Sequence, residues 1–207
     1  MLFRSGKKVV LDLELLTSES SSCWGGFVEG LVSRGLRPPR LVIMDGNKGL
    51  RAAVEQIWPG IEIQRCTVHK LRNLERHVPR HALEEMKGDY HRIIQAESLD
   101  EASKAYREFV VKWRKLAPKV VVSLEEAGEE LLTFYRFPKS QWKSLRTTNI
   151  IERLNGEFRR RVKTQGSLPD AKAAELLLFG LLISGQIHMR RIDGWRELKH
   201  LSVLKAA

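Results

Sequence analysis

The sequence predicts an α/β fold carrying an all-helical insertion, on three observations. The first 80 residues alternate strand-like and helix-like apolar patterns. The stretch after residue 80 is helical in pattern, with charged faces and few strand signals. A late amphipathic helix rich in arginine follows. These divide the chain into a first core part over 7–80, an insertion over 81–140 and a last core part over 141–207.

KKVVLDLELL (7–16) places Val9, Leu11, Leu13 and Leu15 on one face at period two, predicting a strand. The polar TSESSS (17–22) supplies a helix N-cap region, and Trp24, Phe27, Val28, Leu31 and Val32 follow at helical spacing up to Gly35. LVIMD (41–45) is a short apolar run ending in an acid, which reads as a buried strand. Leu50, Ala53, Val54 and Ile57 predict a second helix stopped by Pro59; IEIQRC (61–66) a third strand; Val68, Leu71, Leu74 and Val78 a third helix stopped by Pro79. This βαβ rhythm predicts a largely parallel sheet with ligands beyond the carboxyl ends of its strands, where Asp45 stands.

In the insertion, HALEEMKGDYHRIIQA, LDEASKAYREFVVKWRKLA and VVVSLEEAGEELLTFYRF are helical in pattern. SLPD (167–170) starts the last helix, ELLLFGLLISG (175–185) is expected to be buried, and RIDGW (191–195) is a turn. That apolar run is shorter than the ~20 residues a bilayer span needs.

The chain has 207 residues, 43% hydrophobic and 29% charged, ample for a packed core. Its formal net charge of +11 points to a polyanion, most simply nucleic acid. Two cysteines, Cys23 and Cys66, give no disulfide framework and suit a reducing compartment. A soluble, intracellular protein with no membrane or small-molecule partner is the expectation; self-association stays open.

Two acids stand out. Asp45 before Gly46 either makes a turn after its strand or ligates a metal, with Gly46 leaving room for a phosphate. Glu152 either completes a capping box with Asn149 as N-cap, or offers a carboxylate on a helix stripe shared with Asn155, Arg159 and Lys163, beside an apolar stripe of Ile151, Leu154, Phe158 and Val162. Carboxylates that hold two Mg²⁺ ions and cations that hold phosphates are what phosphodiester cleavage requires. Cys66 and His69 have the spacing to share one zinc, or form a buried thiol and a hydrogen-bonded histidine. His69, Arg72, Asn73 and Arg76 fall on one helix face. His77, His81, His91, His188 and His200 show no convergent spacing. Between Lys143 and Lys163 stand seven cations (Lys143, Arg146, Arg153, Arg159, Arg160, Arg161 and Lys163) against Glu152 and Glu157, a local excess of five positive charges.

LVIMDGNKGLRAAVEQIWPGIEIQRCTVHKLRNLERHVP followed by LRTTNIIERLNGEFRRR resembles the bacterial transposases of the mutator family. The likeness runs from about Val9 to Trp195 and rests on D-G, QRC-x-x-H-K-x-R-N and TTN-x-x-E-x-x-N in order. It implies a ribonuclease H-like fold with a helical insertion, and a DDE-type site holding two Mg²⁺ or Mn²⁺ ions. Asp45 falls on the family's second catalytic aspartate and Glu152 on its glutamate. Cys66 and His69, with Asn149 and Asn155, fall beside the active site. DNA is the implied partner, at element ends and at the target, held by Arg72, Arg76, Arg146, Arg153, Arg159, Arg160, Arg161 and Lys163. The family's first aspartate lies ahead of GKKVVLDL, so an incomplete central sheet and weakened metal binding are expected. Asp12 does not replace it. Two alternatives follow: a catalytically inactive DNA-binding remnant, or a ribonuclease H-like nuclease without strand transfer.

Overall fold

The computed structural model describes residues 2–4, 6–14, 18, 20–163 and 170–197. Leu15, Leu16, residues 167–169 and His200 lie outside the described residues. The described chain is mixed α and β and mostly helical, and it divides into two compact units. One comprises residues 1–39, 47–61 and 148–207; the other comprises 40–46 and 62–147.

In the first unit, β1 (Leu2–Arg4) pairs antiparallel with β2 (Lys7–Val9), Arg4 opposite Lys7. This hairpin departs from the parallel pairing expected for the first strand, and β2 ends at Val9. Beyond Val9 the strict alternation is lost: Val10 and Leu13, three apart, both pack on Leu154, Phe158 and Ile187. At the hairpin turn Gly6 has φ 79°, and a Cβ there would stand 2.3 Å from the Trp195 Cβ. Gly6→Ala should therefore lower the unfolding free energy by about 1–3 kcal/mol, checked by urea denaturation.

Helix α1 (Ser21–Ser33) is capped by Ser20, whose hydroxyl accepts from the Cys23 N–H. It ends at Gly35 (φ 92°) with the paired bonds Gly35 N–H to Val32 O and Leu36 N–H to Leu31 O of a glycine-terminated helix. Helix α2 (Lys48–Ile57) starts at Asn47, which accepts from the Leu50 N–H at 2.9 Å, and stops before Pro59 as expected.

The second unit holds the parallel pair of β3 (Val42–Met44) and β4 (Ile63–Arg65), with Met44 opposite Arg65. Helix α3 (Thr67–Glu75) follows at once, then α4 (Leu83–Ile94), α5 (Leu99–Leu116) and α6 (Pro118–Ala127). Pro118 opens α6 where its missing N–H costs nothing, and Gly128 closes it at φ 52°. The helical pattern expected to continue to Phe137 becomes two short 3-10 turns, Gly128–Leu131 and Thr133–Arg136. Another such turn (Lys139–Gln141) leads into α7 (Trp142–Leu145). The core gathers Leu74, Met86, Tyr90, Ile93, Phe109, Trp113, Val120 and Leu124, each contributing about 1.5–3 kcal/mol by burial.

Back in the first unit, α8 (Asn149–Val162) buries Leu154 and Phe158, but Ile151, expected on the same stripe, is 42% exposed. Helix α9 (Ala171–Ile183) is capped by Asp170. Its apolar run is not buried all round, contrary to expectation. Leu178, Leu181 and Leu182 pack against Leu154, Phe158 and Ile187. Leu176, Phe179 and Ile183 are exposed and line a cavity with Leu11 and Leu13. No helix among the described residues is long and apolar enough to cross a membrane.

Candidate metal and nucleic-acid site

The structure puts the candidate residues on both units. In the second unit, β3 delivers Asp45 at its carboxyl end, exposed, while Met44 just before it is buried. The ladder continues past the strand, since the Cys66 N–H donates to Met44 O at 2.8 Å. Asp45 and Cys66 therefore leave neighbouring strand ends. Cys66 is 1% exposed and stands at the N-cap of α3 without a side-chain capping bond; His69 is half-buried on the first turn. Among the described residues, no group of three or more His, Cys, Asp and Glu side chains gathers to hold a metal ion. Carboxylate oxygens such as those of Asp45 and of Glu152 suit Mg²⁺ or Mn²⁺ better than zinc, whereas the Cys66 thiol is buried.

Arg72 and Arg76 are exposed on α3, and Asn73 and Arg76 line a cavity of about 480 Å³ with Lys70, His77 and Lys119. Arg146 is engaged within the fold. Its carbonyl accepts from the Thr67 N–H and hydroxyl, and its guanidinium donates to Ile94 O at 2.8 Å. It ties the segment before α8 to α3 and α4.

In the first unit, Glu152 is half-buried near the start of α8. The expected capping box is not formed. Thr148, not Asn149, is the N-cap, without a side-chain capping bond, and the Ile151 and Glu152 N–H groups reach its carbonyl at 2.8 and 3.3 Å. Thr148 has φ −91° and ψ 12°, outside the extended geometry that side-chain capping uses. Asn149 and Asn155 are exposed, as are Arg153, Arg159, Arg160 and Lys163. Arg161 is half-buried and donates to Glu157 and to Gln186 O, so it braces α8 instead of offering its guanidinium outward. Glu157 also accepts from Arg160 at 2.8 Å, and the hydrogen bonds from the two arginines hold its carboxyl below the usual range. Positive charge crowds this face: burial, then the charge of Arg153, pulls the Lys8 ammonium below its ordinary value, against the opposing charge of Asp193. Asp12 is committed to Arg34 and to the Leu13 N–H.

One constellation is not visible in the sequence. Arg65 and Lys70, whose side chains are 4% and 2% exposed, converge on Glu126 of α6. Arg65 donates two hydrogen bonds of 3.0 Å, one to each carboxylate oxygen; Lys70 donates to Glu126 at 2.6 Å and to Ser123 O at 2.7 Å. The Arg65 guanidinium also occupies the side of Gly46 (φ 102°) where a side chain would project: a Cβ there would lie 2.0 Å from its Nη2. The space expected to admit a phosphate at Gly46 is thus filled by Arg65. The one signal in the sequence is Lys70, set four residues before Leu74 on the buried face of α3.

Partial burial pushes the Glu126 carboxyl up, but the hydrogen bonds from Arg65 and Lys70, with their charges, bring it down to about 2 from 4.5. Burial lowers the Lys70 ammonium more than Glu126 raises it. A carboxyl depressed on folding adds stability above pH 4.5 that is lost as pH falls toward 2. Denaturant unfolding between about pH 6 and pH 2.5 should show this loss, and Glu126→Gln should flatten it.

Residues 2–189 match the family described as Transposase, Mutator family. The chain is 36% identical over 176 residues to the transposase for insertion sequence element IS905 of Lactococcus lactis, covering 85% of this chain and 45% of that protein. It is 34% identical over 212 residues to the transposase for ISRM5 of Rhizobium meliloti, covering 98% and 52%. For the transposase for IS406 of Burkholderia multivorans the figures are 35% over 179 residues, 86% and 46%. The chain spans about half the length of these relatives. With the match running over nearly all of its length, the chain belongs to the mutator family of transposases.

Proposed function

We propose that this chain is catalytic-domain sequence of a DNA transposase, ribonuclease H-like in fold, that cuts phosphodiester bonds at insertion-element ends and joins the freed 3′ hydroxyl to target DNA. The observation that carries this reading is the exposed Asp45 at the carboxyl end of a parallel strand whose last residue, Met44, is buried, the place where open α/β sheets bind their ligands. Asp45 and Glu152 would supply oxygen ligands to divalent metal. Bound Mg²⁺ or Mn²⁺ contributes Lewis-acid stabilisation of the phosphoryl oxygens and activation of the attacking hydroxyl. Arg153, Arg159, Arg160 and Lys163 on α8, and Arg72 and Arg76 on α3, hold DNA phosphates by charge. They fix the backbone without reading sequence.

Incubating the chain with supercoiled plasmid that carries element ends tests the reading. Nicking that needs Mg²⁺ or Mn²⁺ supports it. Salt-sensitive DNA binding with no cleavage under any metal would instead indicate a catalytically inactive DNA-binding remnant. Cut products that are never joined would indicate a nuclease without strand transfer. For the phosphate-binding cations, Arg153→Ala with Arg159→Ala should flatten the dependence of log affinity on log salt by about 2, roughly one for each phosphate no longer neutralised. Fluorescence anisotropy at several salt concentrations measures it.

A further inference from the structure

We propose that Arg65, clamped by Glu126 and Lys70, is the positioning residue that aims the Asp45 carboxylate, so that α6 of the helical insertion sets the metal site. The proposal rests on the reading that Asp45 is a metal ligand.

Arg65 is the last residue of β4 and lies opposite Met44, the residue before Asp45. Its guanidinium is fixed on one edge by the two bonds to Glu126. Glu126 is fixed in turn by Lys70, itself anchored to the Ser123 carbonyl on the same helix. A planar fork held by two parallel bonds cannot turn about its axis. Its other side fills the place that a Gly46 side chain would take, with Nη2, Cζ and Nε all within 2.8 Å of that Cβ position. The Asp45–Gly46 peptide therefore leaves β3 along a path that the guanidinium limits.

A tie that only joined α6 to β4 would not need the guanidinium against Gly46. Nor would it need a left-handed glycine directly after the candidate ligand. Two buried cations on one carboxylate are also a costly way to hold two elements together, since apolar packing would serve. The arrangement makes sense if the direction of the turn matters.

Metal-directed backbone scission tests this without requiring turnover. Fe²⁺ with ascorbate and hydrogen peroxide cuts the chain next to a bound metal ion, and the fragments ending near Asp45 are quantified against iron concentration. The variants are Arg65→Lys, which keeps the charge and loses the fork, Glu126→Gln, which keeps the shape, and Gly46→Ala, which pushes on the guanidinium from the other side. Circular dichroism checks that each is folded. Each should raise the iron concentration for half-maximal scission at Asp45 by roughly 10–100-fold, the range for groups that orient metal ligands. Asp89→Asn, whose partners Arg92, Lys112 and Trp113 lie on α4 and α5, loosens the same unit and should leave the midpoint in place. Unchanged midpoints in all three folded variants, with Asp45→Ala abolishing the cut, would overturn the positioning role and leave Asp45 a ligand. Scission that survives Asp45→Ala would overturn the reading beneath both.

Discussion

Asp45→Asn and Glu152→Gln should each abolish metal-dependent nicking while leaving DNA affinity nearly unchanged. Both changes keep side-chain volume and remove the anionic oxygen that a hard divalent cation requires. Disturbing a group that merely orients a ligand already costs a site roughly 10–100-fold, so losing the ligand should cost more. On the proposed reading the two acids act together, so the double variant should be no worse than either single one. Asp45 is exposed, and Glu152 is half-buried on a helix whose first turn is closed by the Thr148 carbonyl. Neither variant should therefore move the melting temperature far. Electrophoresis of nicked and supercoiled plasmid, with a parallel binding titration, separates the outcomes. Nicking that persists in both variants would remove the acids from the chemistry.

The capping alternative raised by the sequence no longer competes for Glu152. With Thr148 as N-cap, the acid sits one position deeper in the helix than a capping box needs.

Local pattern carried much of the fold. VIM read as a strand because a short apolar run ending at an acid is what a parallel strand looks like, and IQR followed from its place in the strand–helix rhythm. The serine-rich cap region before α1 and the Gly35 stop were legible because caps are local chemistry. The failures concern what a segment packs against. ELLLFGLLI gives no sign of which face has a neighbour, and α9 leaves Phe179 exposed. KKVVLDLELL alternates as a strand should, yet its ladder partner is needed for more than three residues to pair. Arg146 and Arg161 looked like phosphate ligands because charge is visible in sequence while the carbonyls of Ile94 and Gln186 that they bind are not. The Arg65–Glu126 pair joins residues 61 positions apart, and nothing local to either announces the other.

The largest stability effect is expected at Trp113. Its ring is fully buried in the helical core, 5.9 Å from the Phe109 ring, and its indole N–H donates to Asp89 at 3.0 Å. Trp113→Ala removes the packing and leaves a cavity among rigid helices, a loss of about 3–5 kcal/mol. Trp113→Phe keeps most of the volume and deletes one hydrogen bond to a charged acceptor, so it should cost about 1.5–3 kcal/mol. Asp89→Ala attacks the same bond from the other side and leaves a buried indole N–H unsatisfied, for about 1–3 kcal/mol, while also releasing Lys112 and Arg92. Since the Trp113 and Asp89 changes share one interaction, the double variant should lose less than the sum of the singles. Burial pushes the Asp89 carboxyl up, but the bonds from Lys112 and Trp113 win and hold it below 3.8. Its contribution is therefore present above that value and fades in more acidic solution. Urea unfolding at about pH 7 and about pH 3 should show the cost of Asp89→Ala shrinking at the lower pH, whereas the cost of Trp113→Ala, mostly cavity, should persist. A Trp113→Ala penalty below about 1 kcal/mol would mean that this helical core does not depend on the packing of its largest buried side chain.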